Sequence, residues 1–160
     1  MLVRMEFVSF GVDPSTNSPA LMLKESGGKR TLTVPVGPFE AGAVAIDSLG
    51  VPVGKPMGVD LTRVILRSLG GRVERLALSA GQEPGSLAAQ LHVAGPCGLL
   101  LIDCAVSHGV VLALRCEAPV FAFERLLDAH GGGEGRTPSE VLRRHIASLD
   151  TVDFGAYFLE

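Results

Sequence analysis

The chain contains 160 residues, of which 47% are hydrophobic and 5% aromatic, and it carries a net charge of −3 with a pI of about 5.8. This length and apolar content are typical of one domain that builds its own core without disulfides or metals. The net negative charge argues against a large basic surface that binds nucleic acid, although it is compatible with a local basic patch.

The cysteines and the hydropathy pattern indicate a protein of the reducing cytoplasm. The chain has three cysteines, Cys97, Cys104 and Cys116. Their odd number and the lack of a short paired spacing favour free thiols over disulfides or a zinc site. The first residues alternate like a strand and lack the apolar segment of a signal peptide. No run approaches the ~18 apolar residues of a membrane-spanning helix, so we expect no membrane association.

The N-terminal part of the chain shows strand patterns followed by a helix signal. Residues 2–12 alternate polar and apolar side chains, which predicts a strand. Residues 20–26 and 30–36 predict a hairpin. Pro35 favours an edge position or an early end for the second strand of this hairpin, because proline has no N–H to donate. A helix is then predicted to begin with Gly37 as its N-cap.

A second helix is predicted after a loop rich in glycine and proline at residues 50–58. Asp60 is a natural N-cap for this helix, and Gly70 is placed to end it in the left-handed conformation. One apolar stripe runs along the helix and should face the core. It consists of Leu61, Val64, Ile65 and Leu69.

Three further strands are predicted at residues 72–80, 86–94 and 97–105. The last of them is apolar nearly throughout, which predicts a central position in the sheet with both faces covered. The elements expected after it are a helix at about 107–116, a strand at 119–122 and a helix at about 123–130.

These elements predict an α+β fold, a single compact domain with a mixed β-sheet flanked by helices, because strands come in runs with helices between them. We assign residues 1–130 to this domain. Residues 131–136 are rich in glycine and predict a flexible linker. Residues 137–160 predict a C-terminal helix and an aromatic tail, which should dock onto the body or onto a neighbouring subunit.

The segment 102–115, "IDCAVSHGVVLALR", places an acid, a hydroxyl and an imidazole at a junction between a strand and a helix. Such junctions often carry chemistry. Asp103 could belong to a site, or its carboxylate could accept hydrogen bonds from the N–H groups of the following helix. Ser107 is most simply a helix cap, and the same alternative holds for Asp60.

Three motifs together resemble the bifunctional nuclease (BFN) domain family. "VPVGPFEAGAVAI" (34–46) resembles the family pattern Ile-Trp-Ile-Gly-x-Phe-Glu-Ala, and "KPMGVDL" (55–61) is similar to Arg-Pro-x-x-His-Asp-Leu. In the second motif Asp60 is kept, whereas Lys55 replaces Arg and Val59 replaces His.

The third motif lies in the segment 102–115 and resembles the family pattern Asp-Ala-Arg-Pro-Ser-Asp-Ala. Asp103 and Ser107 are kept, whereas Ala105 stands for Arg and His108 for Asp. The resemblance implies hydrolysis of DNA or RNA and assembly into homo-oligomers. The candidate catalytic residues are Asp60, Asp103, His108 and Glu40, and the candidate substrate-binding residues are Lys55 and Ser107. We assign no metal ligand, although nuclease activity would be compatible with a divalent metal.

The departures from the family motifs predict that hydrolysis is weak or lost. The positions of the signature Arg and His are Ala105 and Val59, so a phosphate-binding charge and a polar group are missing. The alternative is a non-catalytic oligomeric binding module. We favour a homodimer, because the tail carries too many aromatic residues for a solvated segment. Nucleic acid remains a candidate partner that the net charge does not support.

Overall fold

A computed structural model describes residues 1–13, 16–37, 40–42, 55–56 and 58–130. The predicted linker, the C-terminal helix and the aromatic tail lie outside the described residues. Most of the helix predicted to begin at Gly37 also lies outside them, but residues 40–42 are helical and Ala41 N–H donates to Gly37 O at 2.9 Å.

Seven strands of the described chain form one mixed sheet with helices packed against it. The strands are β1 (Leu2–Val12), β2 (Pro19–Glu25), β3 (Thr31–Pro35), β4 (Arg72–Ala80), β5 (Leu87–Gly95), β6 (Gly98–Cys104) and β7 (Val120–Phe123). Their order across the sheet is β3-β2-β1-β7-β4-β5-β6. The helices are α1 (Val59–Ser68), α2 (Val106–Arg115) and α3 (Glu124–His130). The predicted α+β class with a mixed sheet is confirmed.

The short strand β7 joins two antiparallel halves of the sheet. It runs antiparallel to β1 and parallel to β4, and its Val120 pairs with Met5 on one side and with Leu76 on the other. The parallel pairing requires the chain to cross over from β4 to β7. Helix α2 is part of this crossover and packs against β4 and β5.

The core lies between the sheet and the helices. Leu76, Leu126 and Val110 are each 0% exposed, and all of the buried side chains in the described residues are hydrophobic. Gly109 lets α2 approach the sheet closely, because a Cβ built there would lie 2.8 Å from Cys104 Sγ and 3.0 Å from Leu76 Cδ1. We call the sheet surface that α2 covers the helix face and the opposite surface the open face.

Several local predictions are confirmed. Strands β2 and β3 form the predicted hairpin, and Pro35 ends β3, which is an edge strand. Helix α1 ends at Gly70, which has a φ of 76°. Gly71 N–H donates to Leu66 O at 2.9 Å and Gly70 N–H donates to Arg67 O at 3.0 Å. This pair of hydrogen bonds is a Schellman motif, which satisfies carbonyls at the helix end.

The two predicted side-chain caps are wrong. Helix α1 begins at Val59 after Gly58, whose φ of 54° turns the chain into the helix, and Asp60 therefore lies inside the first turn. Helix α2 begins at Val106 after Ala105, so Ser107 also lies inside the first turn. Neither helix has a side-chain cap hydrogen bond. The backbone turn, rather than the nearest capping side chain, decides where each helix begins.

The predicted central position of the strand at 97–105 is also wrong. Strand β6 is the last strand of the sheet and pairs only with β5 in the described chain. Its four large apolar side chains are between 44% and 59% exposed. They are Leu99, Leu100, Leu101 and Ile102. An apolar strand indicates that both of its faces become covered, but the pattern does not reveal what covers them.

The close approach at Gly109 gives a first test. We expect Gly109→Ala to lower the free energy of unfolding by about 1–2 kcal/mol, because overpacking a core typically outweighs the ~1 kcal/mol helix preference of alanine. Denaturant unfolding measures the change. The double variant Cys104→Ala/Gly109→Ala should regain stability relative to Cys104→Ala alone, because it removes the nearest clashing atom. A stabilising effect of Gly109→Ala would contradict the close contact.

Candidate functional site

Asp60 takes part in an ion-pair network between α1 and α2. Its Oδ2 lies 3.6 Å from Arg115 Nη2, and its Oδ1 lies 4.0 Å from Arg63 Nε. Arg63 Nη1 also donates to the backbone oxygen of Arg115 at 3.3 Å. The carboxylate thus lies between a guanidinium group of its own helix and one of α2.

His108 and Glu40 form a second pair at the other end of α2. His108 Nδ1 lies 3.3 Å from Glu40 Oε1. The Glu40 side chain is 13% exposed and the imidazole is 62% exposed. The pair connects the first turn of α2 to the helical residues 40–42, and it presents the outer part of the imidazole to solvent.

Asp103 lies on the open face and is separate from both pairs. It is opposite Gln90 in the β5–β6 ladder, and Gln90 Nε2 donates to Asp103 Oδ1 at 3.0 Å. The neighbouring residues Ala89 and Leu91 are buried on the helix face. Since side chains alternate along a strand, Asp103 points away from α2. The prediction that the N–H groups of the following helix bind this carboxylate is wrong for that reason.

The candidate residues are therefore brought together only in part. Glu40 joins His108, whereas Asp60 is bound at the opposite end of the same helix. The separation of His108 and Arg115 along α2 is about 10 Å at 1.5 Å per residue. Ser107 is half-buried in the first turn of α2, and Lys55 is exposed. The catalytic and substrate-binding roles of these residues remain predictions.

Each of the three candidate carboxylates lies against another side chain. Each candidate carboxylate has a cation, an imidazole or an amide as its partner, as shown by Arg115, His108 and Gln90. Across the described ranges, no three histidine, cysteine or acidic residues come close enough together to hold a metal ion.

Two arginines that the motifs did not single out are central to this region. Arg115 is 18% exposed in its side chain and Arg63 is 38% exposed. Two sequence signals point to the contact between Asp60 and Arg115. Asp60 is an acidic residue in the first turn of α1, and Arg115 is a basic residue in the last turn of α2. Only the packing of α1 on α2 reveals that they meet.

The thiols of Cys104 and Cys116 are free and half-buried. Burial raises the pKa of the Cys104 thiol, and the neighbouring Asp103 carboxylate raises it further. Burial also raises the pKa of Cys116, although Arg63 and Arg67 oppose this effect. A raised pKa disfavours the reactive thiolate.

In the described chain, no helix combines the length and the hydropathy that crossing a membrane would require.

Comparison with known proteins gives the family. Residues 21–133 match the family model described as the bifunctional nuclease domain. This chain belongs to the bifunctional nuclease domain family. It is also similar to uncharacterised proteins from two strains of Mycobacterium tuberculosis, each 30% identical over 124 residues. Those matches cover 78% of this chain and 73% of each relative.

The BFN match contains all three motifs that suggested the family from the sequence, so the predicted membership is confirmed. Its range begins in β2 and extends past α3. In this BFN domain, the first motif contains Glu40, the second contains the start of α1, and the third contains the whole of α2. The two ends of α2 therefore bring residues of all three motifs together, His108 next to Glu40 and Arg115 next to Asp60.

The ion pair of Asp60 gives a second prediction. We expect Asp60→Asn to lower the free energy of unfolding by about 1 kcal/mol, because a partly exposed ion pair contributes little more than this. Thermal or denaturant unfolding measures the change, which should shrink at high salt. Asp103→Asn serves as the control and should be nearly neutral, since Asn still accepts the hydrogen bond from Gln90. Equal losses in both variants would contradict a special role for Asp60.

A third prediction concerns acid sensitivity. Burial lowers the pKa of His92, and the Arg75 guanidinium lowers it further. The unfolded chain therefore binds a proton more readily than the folded chain, so stability should fall as the pH drops below the ordinary value of 6.5. Unfolding at pH 8 and at pH 5.5 measures this loss. The variant His92→Gln should show a smaller loss, and an unchanged loss would exclude His92 as its source.

Proposed function

We propose that this bifunctional nuclease domain protein hydrolyses DNA or RNA weakly or not at all. The separation of the candidate acids supports this proposal most directly, because Asp60 and Asp103 lie on different sides of the sheet with different partners. A hydrolytic site needs its groups around one scissile bond, within hydrogen-bond reach of the reacting atoms.

The residues missing from the family motifs support the same proposal. Phosphodiester hydrolysis needs positive charge at the phosphate and a base for the attacking water. Ala105 and Val59 supply neither where the family pattern has Arg and His. Lys55 is exposed and could supply a charge, but it lacks the planar fork with which arginine binds two phosphate oxygens.

The pair of His108 and Glu40 is the remaining arrangement with catalytic character. In the tautomer whose Nδ1–H donates to Glu40, the imidazole Nε2 is left to accept a proton. An oriented, exposed imidazole of this kind is suited to act as a general base toward water. Any residual hydrolysis should therefore depend on His108 rather than on Asp103.

The alternative function is that of a non-catalytic oligomeric interaction module. The observation that favours it is the exposed apolar strand β6, because contiguous apolar surface on a domain typically marks an interaction site. A cytoplasmic location is part of this proposal. It is supported by the free cysteines in the described structure, Cys97, Cys104 and Cys116, since thiols remain reduced in that compartment.

Nuclease assays of the purified protein test the proposal. Single-stranded DNA and RNA are incubated with Mg²⁺, Mn²⁺ or a chelator, beside the variants His108→Ala and Asp60→Ala/Asp103→Ala. We expect cleavage near background in all three proteins, because losing one positioned donor costs about 10²–10³ in rate and losing a base costs about 10²–10⁴.

The variants distinguish the outcomes. If slow cleavage is present, His108→Ala should abolish it while Asp60→Ala/Asp103→Ala retains it. Robust cleavage by the unmodified protein that disappears in Asp60→Ala/Asp103→Ala would overturn the proposal. Circular dichroism of each variant provides the control for folding.

A further inference from the structure

A small depression lies on the open face of the sheet, where β4, β5 and β6 run side by side. Its volume is about 260 Å³. It is lined by three polar and two apolar residues, Glu74, Arg75, His92, Ala94 and Leu99. None of the candidate residues of the family motifs belongs to it, so the depression is a feature of the domain that the proposed function does not use.

The strand pairing brings a guanidinium and an imidazole together in this depression. Arg75 lies opposite His92 in the β4–β5 ladder, and the register of the ladder shifts between Val73 and Arg75. Glu74 is the extra residue of this β-bulge, and bulges redirect side chains and often lie next to functional sites. His92 points to the open face, because its neighbour Leu91 is buried on the helix face.

The burial of one ring nitrogen makes His92 a hydrogen-bond donor. Its Nδ1 is buried and has no hydrogen-bond partner among the described residues. A buried N–H without a partner is rarer in proteins than a buried acceptor without one. The neutral ring therefore carries its proton on Nε2, and the accessible part of the half-buried side chain offers an N–H to a ligand.

Arg75 supplies a second group of donors. The side chain is half-buried, and it forms no hydrogen bond or ion pair with another described residue. Burial lowers the pKa of His92, and the Arg75 guanidinium lowers it further, so the two groups repel each other when both are charged. The Glu74 carboxylate does not neutralise Arg75, because it accepts a hydrogen bond from Arg72 Nε at 2.7 Å.

We propose that this depression binds a small aliphatic monocarboxylate, with the carboxylate between Arg75 and His92 and the carbon chain against Ala94 and Leu99. A guanidinium matches the two oxygens of a carboxylate, and the imidazole N–H adds a third hydrogen bond. Such a ligand also removes the repulsion between the two groups, since its negative charge lies next to both.

The remaining residues of the depression select this chemical class over other anions. Ala94 and Leu99 form an apolar wall that a carbon chain covers and inorganic phosphate does not. Glu74 lies at the same depression and disfavours a second negative charge on the ligand. The site is independent of any nuclease activity, because the pair of His108 and Glu40 lies at the end of α2, on the other side of the sheet.

Binding is tested by nuclear magnetic resonance of the full-length protein, with butyrate as the probe. The amide signals of the lining residues should shift with a dissociation constant on the order of 1–10 mM, as expected for so small a ligand. Butyramide has the same shape without the charge, and it should bind about tenfold more weakly, as should inorganic phosphate. Equal binding of butyramide or of phosphate, or no shift of these signals with butyrate, would overturn the proposal.

Two arginine variants provide a matched comparison. Arg75→Gln should weaken butyrate binding by about tenfold, because a charge-assisted pair is lost. Arg4→Gln should leave it unchanged, since Arg4 is exposed on the open face opposite Phe121, outside the depression. Leu99→Ala should weaken the binding of butyrate but not that of acetate, whose chain is too short to cover the wall. Equal affinities in the two arginine variants would contradict the site, and the comparison with butyramide decides the case in which Arg75→Gln fails to fold.

His92 gives a readout that a structural role would not move. Ring nitrogen signals should show the Nε2–H tautomer, and butyrate should raise the pKa of His92, because a carboxylate stabilises the imidazolium. Binding should therefore tighten as the pH falls through that pKa. His92→Gln should bind butyrate at pH 8 and lose this tightening, because glutamine keeps an N–H and cannot be protonated.

The other charged groups that face His92 are controlled in the same experiment. They are Arg75 and Glu74 on β4 and, diagonally across the ladder, Asp103 on β6. Asp103→Asn should retain the rise of the His92 pKa with butyrate. An Nδ1–H tautomer, or a pKa of His92 that saturating butyrate leaves unchanged, would overturn the proposal.

Discussion

The pairing of β7 with both β1 and β4 is the constraint on which the rest of the structure depends. Without it, the hairpin side β1–β3 and the meander β4–β6 share no ladder. Val120, at 3% exposure, stands between Met5 and Leu76 in the centre of the sheet. Because β7 must run parallel to β4, the chain has to cross the sheet before it, and α2 makes that crossing.

The position of α2 in turn arranges the candidate site. Its two ends meet the two other family motifs, so that His108 pairs with Glu40 and Arg115 pairs with Asp60. Its close packing at Gly109 leaves no room for a cleft between helix and sheet at that point. Among the described motif residues, Asp60 lies against Arg115 and Asp103 against Gln90, while the exposed imidazole of His108 lies next to Glu40.

The alternation of side chains along β6 places residues of the third motif on two different surfaces. Asp103 and His108 are five positions apart in the chain, but the alternation of the strand directs Asp103 to the open face while the helix carries His108 on the other. The same alternation divides the four apolar residues of β6 between both faces.

The sequence by itself determined most of the described elements, the fold class and the family, because these depend on local periodicity, on glycine and proline and on ordered motifs. It predicted the β2–β3 hairpin, the end of α1 at Gly70 and the strand at 72–80. Only the tertiary structure decided that Asp60 meets Arg115, that Asp103 faces away from α2 and that β6 lies at the edge. These facts depend on contacts between residues far apart in the chain. A hydrophobic pattern predicts that a strand is covered, but it does not identify the neighbouring element.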